Sequence, residues 1–132
     1  MTLPLEQLMR DVATYLGTEL RFERDVYSLL VPLPSGRRQE VAATIRHDQQ
    51  EREIIDFVST VGPAHAGIDP WLLLQANGQA LFSRITVARQ IIFVVASQLL
   101  VTAQPEEVLL MLREVADFAD RLEHEYFQTD TF

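Results

Sequence analysis

Three histidines, His47, His65 and His124, and the acids near them are the residues whose types and spacing can do chemistry in this chain. Asp117, Asp120 and His124 follow one another at helical steps. That spacing stacks oxygen and nitrogen donors on one helix face and can present ligands to a metal. With Arg113 and Arg121 interleaved, the same pattern describes a solvated acidic face, which is the reading taken. Ser59, His65 and Asp69 supply a hydroxyl, an imidazole and a carboxylate close in sequence. A triad is recognised by geometry, however, and neither a nucleophile elbow nor an oxyanion loop surrounds them. The five glycines are isolated, so no Gly-rich phosphate loop exists. The expectation is therefore a chain with no catalytic residue, no metal and no cofactor. One alternative stays open: a small-ligand or enzymatic domain using the His65–Asp69 loop, which leads into a helix N-terminus, a natural anion site.

The elements that must position these groups are legible from periodicity. Met1 to Leu16 reads as a helix capped by Thr2 or Leu3, with Pro4 in its first turn and Gly17 as its stop. Leu5, Leu8, Met9, Val12, Tyr15 and Leu16 form its apolar stripe. Strand-like sequence runs from Leu20 to Leu33, where Pro32 and Pro34 place the strand at an edge or end it. Glu40 to His47 alternates weakly, the polar stretch from His47 to Glu53 reads as a hairpin tip, and Ile54 to Val61 is a further strand. Asp69 caps a short helix with Pro70 at its first position, and Asn77-Gly78 ends it.

Leu81 to Val87 has one apolar-rich face and one mixed face. The link Val87-Ala88-Arg89-Gln90 implies a tight hairpin of unreadable turn type. Ile91 to Ala96 is apolar on both parities, so it is expected to be a central strand covered on both sides. Pro105 opens a long amphipathic helix, with Glu106 and Glu107 at the positive end of its dipole. Leu109 and Leu110 lie off its main stripe and belong either to a wide core face or to a second contact surface. The order is helix, three strands, helix, two strands, helix, with antiparallel pairing: an α+β chain.

Composition narrows the function. The 132 residues read as one domain, 1–132, and 48% are hydrophobic, as in an ordinary globular chain. Cysteine is absent, which removes disulfides, thiolate metal sites and cysteine nucleophiles. Every basic residue other than histidine is arginine, so lysine chemistry is excluded. A net charge of −8 argues against direct nucleic-acid binding. No signal-like N-terminus or membrane-length apolar run is present, and a cytoplasmic location is expected.

The residues Trp71-Leu72-Leu73-Leu74-Gln75-Ala76-Asn77, Phe82, Ile91 to Val95 and Pro105-Glu106-Glu107-Val108, in this element order, resemble the type III secretion chaperone fold. Within it they resemble the YbjN group of bacterial proteins. That group often has a Gly-containing turn between its last two strands, where this chain has Val87-Ala88-Arg89-Gln90. The resemblance implies a small acidic homodimer that binds a segment of another protein, with no cofactor and no catalysis. An open sheet edge can add a client strand, and Trp71, Ile92, Val94, Leu109 and Leu110 are the expected apolar contacts of the dimer or client surface. For Trp71 itself the preferred reading is an anchor of its helix on the sheet, with the subunit or client interface as the alternative.

Overall fold

Among the described residues, a six-stranded antiparallel sheet carries three helices on one of its faces. The computed structural model describes residues 3–127, so the expected cap at Thr2 lies outside the described residues. The elements are α1 (Leu3–Leu16), β1 (Arg21–Glu23), β2 (Val26–Pro32), β3 (Arg38–His47), β4 (Glu53–Pro63), α2 (Pro70–Asn77), β5 (Ser83–Ala88), β6 (Ile91–Leu99) and α3 (Pro105–Tyr126). Spatial order across the sheet is β1-β2-β3-β4-β6-β5, and every neighbouring pair is antiparallel. The first strand-like stretch is thus a short hairpin rather than one strand. The chain turns at Arg24 and Asp25, both at positive φ.

Local chemistry sets most boundaries. Gly17 closes α1 at φ 69°, with the Thr18 N–H donating to the Ala13 carbonyl and the Gly17 N–H to the Thr14 carbonyl. That pair of bonds is the Schellman closure, and it favours a residue without a Cβ in the left-handed conformation. Asp69 caps α2 by accepting the Trp71 N–H at 2.9 Å. The β3–β4 tip is organised by Asp48, which accepts the N–H groups of Gln50 and Arg52 and pairs with the Arg52 guanidinium.

The core lies between the helices and one parity of the sheet. Leu29, Val41, Phe57, Val94 and Ala96 face the helices and pack with Val12 of α1 and Val108, Leu112 and Val115 of α3. Among the described residues, no helix covers the opposite parity, which includes Leu30, Ala42, Val58, Phe93 and Val95. This corrects one expectation. β6 is an inner strand, between β4 and β5, but helices cover it on one side only. The reason is topological. α1 leads into β1, α2 joins β4 to β5 and α3 follows β6, and the three helices share one core on a single parity of the sheet, so none of them covers the other.

On the uncovered face a polar row tempers the apolar surface. Arg46 pairs with Asp56 at 2.6 Å, Ser97 donates to Asp56 at 2.6 Å, and Arg84 donates to Ser97 at 3.2 Å, so the row crosses β3, β4, β6 and β5. Charged groups laid across a sheet oppose unplanned stacking of that face. Among the described residues, no helix is long and apolar enough to cross a membrane.

Candidate partner-binding surface

The residues whose types suggested catalysis do not converge. Ser59 is buried under the helices, where it accepts a hydrogen bond from Gln39 Nε2 at 3.0 Å and donates to the Glu40 carbonyl at 2.7 Å. His65 is exposed, its Nδ1 accepts the Gly67 N–H, and its ring meets that of Phe127 edge-on at 5.5 Å. Asp69 is occupied as the α2 cap. Two of the helical trio are likewise engaged, and His124 is exposed. Asp120 holds Arg37 through two bonds of 3.0 and 2.6 Å, and Asp117 pairs with Arg121 at 3.0 Å. No group of three or more metal-ligating side chains occurs among the described residues.

The apolar candidates divide by burial. Ile92 and Val94 sit on the helix-facing parity of β6 and are fully enclosed by the core, and Leu109 of α3 is buried as well. They serve the interior of this chain, because the β6 parity that carries Ile92 and Val94 is the one the helices cover. Trp71 is 73% exposed and Leu110 is 55% exposed. The anchor reading of Trp71 therefore fails. Leu73 is the residue by which α2 enters the core.

More large apolar side chains are exposed on α2 and β5 and in the link between them than the sequence reading named. Leu72 and Leu74 of α2 are exposed along with Trp71, Leu81 in the link to β5 is 80% exposed, and Val87 on β5 is exposed as well. The signal was present. Four consecutive large apolar residues on an eight-residue helix exceed what one face can bury. Trp71, Leu72 and Leu74, exposed together on one short helix, make α2 the candidate contact surface.

This surface is mounted rigidly. Glu114 of α3 accepts the N–H groups of Leu81, Phe82 and Ser83, each at 2.8 Å, and the Ser83 hydroxyl donates to it as well. Burial works against ionisation here, but the Ser83 hydroxyl and the three N–H donors outweigh it and hold the Glu114 carboxyl below the usual carboxylate range. Asn77 Oδ1 accepts the Ile85 N–H at 2.6 Å and ties the end of α2 to β5. These two side chains take the N–H groups of Ser83 and Ile85 on the outer edge of β5, so the first half of that edge is closed to strand addition. The other edge strand, β1, has three residues.

No protein-family model matches the chain, and no curated protein matches it in sequence. Solved structures do match. A chain of the HopA1–SchA chaperone–effector complex aligns with a TM-score of 0.64 at 13% identity, over 93% of this chain and 95% of that one. A chain from the crystal structure of the Yersinia pestis type III secretion chaperone SycH with a stable fragment of YscM2 aligns with a TM-score of 0.59 at 15% identity, over 88% and 97%. An α+β chain with these helices, this antiparallel sheet and this order has the type III secretion chaperone fold.

Proposed function

We propose that this chain is a non-catalytic protein-binding module of chaperone or adaptor type. It acts as a cytoplasmic homodimer of single-domain subunits and holds a segment of a partner protein. The observation that carries the reading is the exposed apolar surface of Trp71, Leu72, Leu74, Leu81 and Val87, held in place by Glu114 and Asn77. Exposed Trp and Leu on a rigid support are what a stable interface needs: large apolar area with little entropy left to lose on binding.

The matched structures are of complexes between a chaperone and an effector or a partner fragment, which supports a protein ligand here. Assignment to the YbjN-like group rests on Trp71 to Asn77, Phe82, Ile91 to Val95 and Pro105 to Val108. Assembly through α2 and the β5 margin is isologous, the commonest form of homodimer. Because the start of the β5 edge is closed, side-chain packing rather than backbone pairing provides the contact there.

Light scattering on the purified chain tests the assembly. The wild type is expected to run as a dimer and the Trp71→Ala, Leu74→Asp double variant as a folded monomer. A monomeric wild type would remove the dimer from this reading. Tagged capture from the native host's lysate, read by mass spectrometry, tests the partner. One near-stoichiometric protein is expected, and a bait that returns nothing would count against the chaperone reading.

A further inference from the structure

Away from the α2 surface, two concavities open side by side around α1 and share Asp11. The first lies between α1 and α3 and has a volume of about 320 Å³. Val12 and Leu109 form its floor, and Tyr15 and Leu110 stand at its rim. The second lies between α1 and the turn from β6 into α3, against Leu8, Leu100 and Val101. Tyr15 is 76% exposed and Val101 87% exposed, so apolar surface in both is open to a partner.

The charges bordering them are all of one sign. Asp11 and Glu106 border the first, and Asp11 and Glu53 the second. Among the described residues, no arginine or histidine lines either one. An apolar trough edged by carboxylates favours long cationic side chains, whose stems cover apolar surface while their heads reach the acids. A second copy of the same face would set the carboxylates of Asp11, Glu53 and Glu106 against their own kind.

We infer that this double groove takes a partner segment that pairs large apolar side chains with neighbouring arginine or lysine. The inference rests on the protein-binding reading above and specifies the chemistry of the segment bound.

A phage-displayed library of random peptides, selected on the immobilised full chain, tests it. Enriched peptides are expected to combine Leu, Ile, Phe or Trp with Arg or Lys, and their binding should weaken as salt is added. Leu110→Gln should weaken them about tenfold or more, which corresponds to about 1.4 kcal/mol. Reversing the rim with Asp11→Arg and Glu106→Arg should turn selection toward acidic peptides. A merely structural role of these residues would not produce that reversal. Circular dichroism and melting of each variant confirm that it is folded.

Enriched peptides without an excess of basic residues would overturn the inference, as would binding that survives both groove variants. So would a library that yields no binder on the wild type. Peptides lost on Leu74→Asp but retained on Leu110→Gln would overturn the groove and leave the protein-binding reading standing.

Discussion

Glu114 shows how one side chain can set the position of a surface it does not belong to. Its carboxylate satisfies three backbone N–H groups that would otherwise be left without partners where the chain enters β5. Glu114→Ala is expected to cost about 2–4 kcal/mol in urea unfolding, since hydrogen bonds to a charged group are the stronger kind and several are lost together. The pH dependence has a definite sign. A carboxyl whose folded pKa lies below its ordinary value of 4.5 adds stability that is fully present above that value. The contribution is lost as pH falls through the folded pKa. The gap in stability between wild type and Glu114→Gln should therefore be constant near neutrality and shrink below about pH 4.5. Asp48, held low chiefly by the Arg52 backbone N–H, adds to the same acid loss in both proteins and cancels in the comparison. None of this was legible beforehand: Glu114 sits in an acidic amphipathic helix like its neighbours, and its partners lie more than thirty residues away in the chain.

At the scale of elements, the two-residue hairpins are the least expected feature. Arg89 and Gln90 link β5 to β6 with φ of 53° and 66°, and Arg24 and Asp25 link β1 to β2 with 53° and 65°. Positive φ at both central residues is the type I′ signature, normally marked by Asn-Gly. Because these turns carry no such mark, the β1–β2 hairpin read as one strand and the β5–β6 turn type was unreadable. A left-handed residue with a Cβ costs about 1–2 kcal/mol, part of which glycine returns in greater unfolded-state entropy. Gln90→Gly should stabilise the protein by about 0.5–1 kcal/mol and raise the melting temperature by a few degrees, measured by calorimetry. The helices, in contrast, were marked by proline, acidic first turns and periodic leucines, and they start and stop close to where those signals put them. Leu112 of α3 lies at zero exposure in the middle of the core. Leu112→Ala is expected to cost about 2–5 kcal/mol, a large share of a typical domain's stability.

On the scale of the whole molecule, the sheet has one covered face and one bare face, and α2 stands out from the core with its apolar side chains exposed. If two subunits meet through α2, dissociation and unfolding are linked by mass action. The melting temperature of the wild type should then rise with protein concentration, and that of Leu74→Asp should not. Scanning calorimetry over a hundredfold concentration range (about 2.7 kcal/mol of linked free energy at that ratio) separates the two.

Element order apart from the β1–β2 hairpin, the helix boundaries marked by proline and glycine, and the absence of thiol or lysine chemistry were determined by the sequence alone, because caps, proline positions and composition act locally or not through geometry at all. Only the tertiary structure decided which apolar residues face outward. Both parities of β6 are apolar, and α2 is apolar around much of its circumference, so a local pattern cannot distinguish the buried side from the exposed one. The choice was made when α1 and α3 settled on the parity that carries Ile92 and Val94. That burial leaves Trp71 and Leu110 at the surface and assigns Leu109 to the core. Packing distinguishes them because it depends on which distant element arrives, and the spacing of residues along one strand or helix contains no record of that.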